Sequence, residues 1–167
     1  MLKYVNYDIV FQEYPDEVTL AINLSLCPNR CPGCHSAYLQ QDMGEELTTE
    51  RLFSLLSTYA GEITCVGFMG GDNDPAAIMT LARHVKESPA TKHVKVGWYS
   101  GRPQLPEAFD AAALDYVKLG PYIAAQGPLS SPTTNQHLYR IDHSDAAGPK
   151  LVDITQRFWR TTVLSRE

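Results

Sequence analysis

Three cysteines in the segment CPNRCPGC are spaced closely enough to bind one metal centre. Three residues separate Cys27 from Cys31, and two separate Cys31 from Cys34. Thiolates are soft ligands that suit zinc, copper(I) and iron–sulfur clusters. The loop must turn sharply to direct three thiolates at one centre, and it contains residues that favour turns, Pro28, Pro32 and Gly33. The segment therefore predicts a metal site.

The stretch contains no fourth cysteine. An iron–sulfur cluster and a structural zinc site differ in what this absence means. Three cysteines can hold three irons of a 4Fe–4S cluster and leave the fourth iron open, which suggests a site where another molecule binds. A structural zinc site is the alternative, but it needs a fourth ligand. His35 is poorly placed for this because it adjoins Cys34, so the ligand would come from elsewhere, from His84, His93, His137 or His143. A disulfide is less expected in a reducing compartment.

The composition limits the classes of partner. With 14 Lys and Arg against 19 Asp and Glu, the 167-residue chain has a formal net charge of −5, which argues against a general nucleic-acid-binding surface. No apolar run is long enough to span a bilayer, and the amino-terminal residues mix charges among apolar side chains, unlike a secretory signal. We therefore expect a single cytoplasmic domain over residues 1–167, with no nucleic-acid or membrane partner.

Strand and helix patterns alternate along the rest of the chain. Strands are predicted at 18–24, 63–68, 93 to about 100, 115–119, 138–141 and 151–154, and helices at 48–61, from 75 onward and at 106–114. Cys65 lies inside the apolar segment ITCVGF and is expected in the core. The Gly-, Pro- and Ser-rich residues 120–137 predict a long functional loop. This alternation predicts an α/β fold with a mainly parallel sheet that forms a partial, incomplete TIM-like β/α barrel.

Four turns follow predicted strands and share one expected position. They are the cysteine loop, Gly70-Gly71-Asp72, Tyr99-Ser100-Gly101 and Gly120-Pro121. Successive parallel strands place their carboxyl ends on the same rim, where α/β proteins bind their ligands. We therefore expect the turns to surround one site.

The motifs CPNRCPGC, GGDNDP, GWYSG, LGPYI and TTNQHLYRI occur in this order between about Val18 and Ile141. This ordered set resembles the radical S-adenosylmethionine (SAM) enzymes and, more narrowly, the anaerobic ribonucleoside-triphosphate reductase activating proteins. The resemblance implies a radical SAM domain with its core at about 18–141. In such a domain Cys27, Cys31 and Cys34 would bind a 4Fe–4S cluster whose open iron is chelated by SAM.

The resemblance also implies a reaction. One-electron reduction of the cluster cleaves SAM to methionine and a 5′-deoxyadenosyl radical, which takes a hydrogen atom from a glycine of the reductase catalytic subunit. The electron would come from a low-potential donor such as a flavodoxin. No general base is required when hydrogen moves as an atom, so no catalytic residue is expected beyond the cluster and SAM.

The residues implied to contact SAM lie in the same motifs. Gly70 and Gly71 would let the backbone approach SAM, Asp72 would face its amino group, and Ser100 would make a polar contact. Many radical SAM enzymes have an aromatic residue near the adenine where this chain has Gly33, so Gly33 and His35 would border the adenine instead.

Each of these positions also has an ordinary structural interpretation. Asp72 could cap the following helix, and Ser100 could be a turn residue beside Gly101. Lys118 could reach the SAM carboxylate or be a surface lysine. Two further functions stay open: an activase of another glycyl-radical enzyme, such as a formate-lyase-like partner, and a non-catalytic zinc or iron–sulfur interaction module.

Overall fold

Most of the chain folds into a mixed β-sheet with helices packed against it. The structure is a computed structural model that describes residues 1–34 and 36–159. Within these residues the strands are β1 (Lys3–Val10), β2 (Thr19–Leu24), β3 (Glu45–Glu46), β4 (Cys65–Met69), β5 (Lys95–Tyr99), β6 (Tyr116–Leu119), β7 (His137–Asp142) and β8 (Lys150–Asp153). The helices that lie wholly within these residues are α1 (Thr49–Thr58) and α2 (Pro75–Glu87), with two short 3-10 helices at Ala37–Gln40 and Ala111–Ala113.

The central strands are parallel and the outer strands are antiparallel. The order across the sheet, within the described residues, is β3-β1-β2-β4-β5-β6-β7-β8. The strands β2, β4, β5 and β6 pair in parallel, and their nearly unbroken apolar sequences fit burial on both faces. The other four of the seven pairings in the described sheet are antiparallel.

The predicted mainly parallel, TIM-like partial barrel is therefore wrong. The part of the chain that the structure describes forms an open mixed sheet in which antiparallel pairings are the majority. Strand β1 is not recognised from the sequence because polar residues interrupt its apolar pattern. The connections 11–18 and 143–149 are too short for the crossover that a parallel pair needs, so β1 and β8 pair antiparallel with their neighbours.

The helix starts follow the predicted capping residues. The Thr48 side chain accepts a hydrogen bond from the backbone N–H of Arg51 at 3.1 Å, and Asp74 does the same for Ala77 at 3.2 Å. Pro75 is the first residue of α2, as predicted. The predicted helix over 106–114 is wrong: only the 3-10 turn Ala111–Ala113 forms, because the Asp110 side chain bonds the backbone of Ala112 and starts a new, very short helix there.

The two faces of the sheet are packed differently. Apolar side chains of α1 and α2 join those of alternate strand residues such as Phe68 and Trp98 in the main core. On the opposite face, Tyr14 from the β1–β2 loop is fully buried against Gly67 and Gly97, which are paired across β4 and β5. Cys65 is fully buried on this face, which confirms the expected core position. In the described chain no helix is long and apolar enough to cross a membrane.

Candidate functional site

The carboxyl ends of the parallel strands surround a cavity of about 230 Å³. All three closely spaced cysteines line it. Its lining also includes residues from the ends of β4, β5 and β6 and from the turns that follow β4 and β5, namely Gly70, Asp72, Tyr99, Gly101 and Lys118. The fold thus brings together the cysteine loop and the turns after β4 and β5, because β2, β4 and β5 are neighbouring parallel strands that end at one rim.

Left-handed backbone conformations shape the cysteine loop. Leu26, Arg30 and Gly33 have φ values of 62°, 47° and 74°. Glycine adopts this region freely, but a side-chain-bearing residue is strained there by about 1–2 kcal/mol. The backbone N–H of Cys27 donates to the Leu39 carbonyl at 3.0 Å, and Cys34 donates to Cys31 at 3.1 Å. The turns of the cysteine loop therefore depend on these left-handed residues and backbone hydrogen bonds as well as on its two prolines.

The donor set suits an iron–sulfur cluster. Cys27, Cys31 and Cys34 are half-buried free thiols that face the same cavity. Burial raises the pKa of the Cys27 thiol, and hydrogen bonds from Asn29 partly oppose this rise. Among residues 1–34 and 36–159, no three His, Cys, Asp or Glu side chains converge on a point where one metal ion could bind. A 4Fe–4S cluster does not need such convergence, because each cysteine binds a different iron.

Three of the four histidines considered as zinc ligands, His84, His137 and His143, make contacts away from the cysteines. His84 Nδ1 lies 3.1 Å from Thr49 Oγ1, and His137 Nδ1 lies 2.9 Å from Asp153 Oδ2. His143 Nε2 lies 2.8 Å from the Leu114 carbonyl. These three side chains are therefore engaged elsewhere in the fold.

Asp72 connects the cysteine loop to the end of β5. The residue is only 3% exposed. Oδ1 accepts a hydrogen bond from Ser100 Oγ at 2.6 Å, and Oδ2 accepts from Asn29 Nδ2 at 2.5 Å and from the Gly101 N–H at 2.8 Å. The helix-capping role is filled by Asp74 instead. Two carboxylate oxygens offer about four acceptor sites, so these three donors leave Asp72 able to accept another.

The two neighbouring glycines have different environments. Gly70 lines the cavity at φ +110°, and its carbonyl accepts a hydrogen bond from Trp98 Nε1 at 2.7 Å. A Cβ on Gly71 would lie 2.7 Å from Ile78 Cδ1, so close packing against α2 explains that glycine without a ligand. Among the described residues, the cavity lining includes Gly70 but not Gly71.

The remaining residues predicted to contact SAM, Ser100, Gly33 and His35, differ in where they lie relative to the cavity. Ser100 is fully buried behind the cavity wall, where its hydroxyl holds Asp72. Gly33 lies beside Tyr122, with its Cβ position 3.6 Å from Tyr122 Cε1. His35 lies outside the residues that the structure describes.

Lys118 places a buried amine at the cavity. The residue is only 9% exposed, and its Nζ donates to the Gly120 carbonyl at 3.1 Å. Burial lowers the pKa of Lys118 to about 8, and the nearby negative charges of Asp72 and the cysteines oppose that fall. Lys118 is thus a wall residue of the cavity and not a surface lysine.

This burial has a consequence for stability. We expect Lys118→Met to raise the free energy of unfolding of the cluster-free chain at pH 7 by about 2 kcal/mol, because it removes a buried charge. The pKa of about 8 in the folded chain lies below the ordinary lysine pKa of 10.5, so the cost of the charge is complete below pH 8 and disappears as pH rises to 10.5. Urea unfolding at pH 7 and pH 10.5 measures both values.

The exposed lysine variant Lys92→Met is the control, and it should change the free energy of unfolding little at either pH. A gain for Lys118→Met that stayed equally large at pH 10.5 would contradict the explanation.

Asn29 is a site residue that sequence reasoning missed. Its amide lies between Asp72 and Cys27 Sγ, at 2.5 Å and 3.7 Å respectively. The available signal was its position between two predicted cysteine ligands, but spacing alone does not show where that side chain turns.

Comparison of the chain with protein-family models, with curated proteins and with solved structures found no match.

Proposed function

We propose that this chain is a radical SAM activating enzyme, a glycyl-radical-generating oxidoreductase for anaerobic ribonucleoside-triphosphate reductase. The observation that carries the proposal is the shared cavity of Cys27, Cys31 and Cys34 with Asp72. The remaining cysteine, Cys65, is fully buried in β4. The cysteine loop therefore offers three thiolates beside a space of about 230 Å³ for a further ligand.

The charges of the cavity suit the methionine end of SAM, which carries an amino and a carboxylate group. The carboxyl group of Asp72 can accept a further hydrogen bond, and Lys118 is a nearby amine that favours an anionic partner when protonated. Asp72 would bind the amino group, and Lys118 would bind the carboxylate. Gly70 presents backbone to the same space, and Gly33 with His35 would border the adenine.

When bound, the cluster and SAM supply reductive cleavage of a sulfur–carbon bond and abstraction of a glycine hydrogen atom. The protein must hold SAM close to the three thiolates and exclude competing hydrogen donors. Ser100 and Gly101 fix Asp72 for this task, and Tyr122 of the β6–β7 connection forms part of the wall. The open rim is where the glycine segment of the reductase would enter.

The proposed partners are the reductase catalytic subunit and a low-potential electron donor of the flavodoxin class. The reductase is favoured because the motif TTNQHLYRI, at residues 133–141, resembles the reductase-activating branch. We place the reaction in the cytoplasm, where thiols are kept reduced.

Anaerobic reconstitution tests the proposal. The chain should bind about four irons, cleave SAM when reduced, and give a glycyl-radical EPR doublet when mixed with a competent reductase. Zinc binding without SAM cleavage would instead support the interaction module. A doublet on a formate-lyase-like protein but not on the reductase would keep the chemistry and replace the partner.

A further inference from the structure

We infer that Asn29 is a positioning residue that raises the reduction potential of the cluster through Cys27, an inference that rests on the proposed function. The Asn29 side chain lies in the cysteine loop and touches both a predicted iron ligand and the buried carboxylate of Asp72. It thus links the cysteine loop to the anionic group proposed to bind SAM.

The contacts define which end of the amide faces the site. Nδ2 lies 3.7 Å from Cys27 Sγ and 2.5 Å from Asp72 Oδ2. An iron-bound thiolate and an ionised carboxylate only accept hydrogen bonds, whereas the amide nitrogen has two N–H groups to donate. The nitrogen end therefore serves both acceptors, one hydrogen for each.

The surrounding structure holds Asn29 in this position. Asp72 is buried and is itself fixed by Ser100 Oγ and by the Gly101 N–H. A Cβ at Gly101 would lie only 2.7 Å from Asn29 Nδ2, so the lack of a side chain at 101 makes room for the amide. Arg30 follows in a left-handed conformation that turns the loop away immediately after Asn29.

The effect on the cluster follows from charge. One-electron reduction adds negative charge to the cluster and its sulfur ligands, and the electron comes from an external reductant. A donor N–H directed at Cys27 Sγ stabilises the reduced form more than the oxidised form, which raises the potential. Removing that donor makes the cluster harder to reduce without removing any ligand.

The test is a redox titration of the reconstituted full-length protein without SAM, followed by the EPR signal of the reduced cluster. Asn29→Leu keeps a side chain of similar size without an N–H. It should lower the ratio of reduced to oxidised cluster about tenfold at a fixed poise, which for one electron is a downward shift of about 59 mV. Asn29→Gln keeps an amide group, so it should recover at least half of the potential that Asn29→Leu loses.

Ser100→Ala is the matched control, because it removes a hydrogen bond to Asp72 Oδ1, whereas Asn29 and the Gly101 N–H both donate to Asp72 Oδ2. We expect it to change the ratio less than about twofold. A midpoint potential does not depend on how much protein carries a cluster, so a variant that loads poorly is measured on its loaded fraction.

The possible failures are distinct. If the wild-type chain cleaves SAM but the ratio of reduced to oxidised cluster in Asn29→Leu stays within about twofold of the wild-type ratio, the role of Asn29 is overturned and the proposed function stands. An equal shift in Ser100→Ala also overturns it, because the effect would then run through Asp72. A wild-type chain that binds no iron overturns both this inference and the proposed function.

Discussion

Replacing Cys31 with serine is expected to abolish both cluster assembly and SAM cleavage. Cys31 is the middle cysteine of the loop, half-buried and directed to the cavity. Loss of its thiolate would leave two soft ligands for the proposed cluster, which would take three from this loop, and a serine hydroxyl is a harder, far less acidic ligand. Iron analysis, the visible spectrum and product analysis after reduction measure the effect.

The matched control is Cys65→Ala, which removes a cysteine from the same fold but not from the cavity. Cys65 is fully buried in β4, and burial raises the pKa of its thiol far above the ordinary range. This variant should keep its iron and its SAM cleavage, and should lose about 1 kcal/mol of stability from the missing sulfur. Retained activity in Cys31→Ser would remove Cys31 from the ligand set.

Gly97→Ala should be among the most destabilising single substitutions in the chain, at about 3 kcal/mol. A Cβ at this position would lie 2.3 Å from Tyr14 Cζ, and the Tyr14 ring is fully buried with edge and tilted contacts to Tyr99 and Tyr116. The ring cannot move aside without disturbing those neighbours, so overpacking is expected at the upper end of its usual cost. Urea denaturation of the cluster-free chain measures the change.

A double-mutant cycle isolates the cause. Tyr14→Ala should itself cost about 3–5 kcal/mol because it empties a buried aromatic site. In that background Gly97→Ala should cost less than about 1 kcal/mol, since the clash is gone, which corresponds to a coupling of about 2 kcal/mol. Additive effects of the two substitutions would show that Tyr14 does not limit the residue at 97.

The sequence predicted the middle of the sheet better than its sides. The segment TLAINL and the capping residues Thr48 and Asp74 carry strong local signals, and the elements they define appear in the structure. The direction of a strand, by contrast, depends on its connection and its partner. The antiparallel pairing of β7 with β6 follows from a connection without a crossover helix, and no local pattern in residues 137–142 reveals it.

In the candidate site, too, features with a local sequence signal were predicted and features that depend on the folded arrangement were not. The spacing of the cysteines and the strand-to-turn pattern predicted that four turns meet. The cysteine loop and the turns after β4 and β5 do line one cavity, whereas Gly120 and Pro121 of the fourth turn are not among its lining residues. The sequence could not show that Ser100 bonds Asp72 from behind the wall, because this depends on which way a buried hydroxyl points. Nor could it show that Leu26 and Arg30 take left-handed conformations, since turn preferences point to proline and glycine instead.

The open ends of the sheet have a consequence for how copies of this protein meet in solution. An unpaired strand edge is a template on which another molecule can add a strand and begin aggregation. In the sheet that residues 1–34 and 36–159 form, β3 at one end is only the two residues Glu45–Glu46, both acidic, and at the other end the four-residue β8 begins with Lys150 and ends with Asp153. In a closed barrel these two edge strands would pair with each other. In this open sheet, their short length and their charged residues discourage edge-to-edge association between copies.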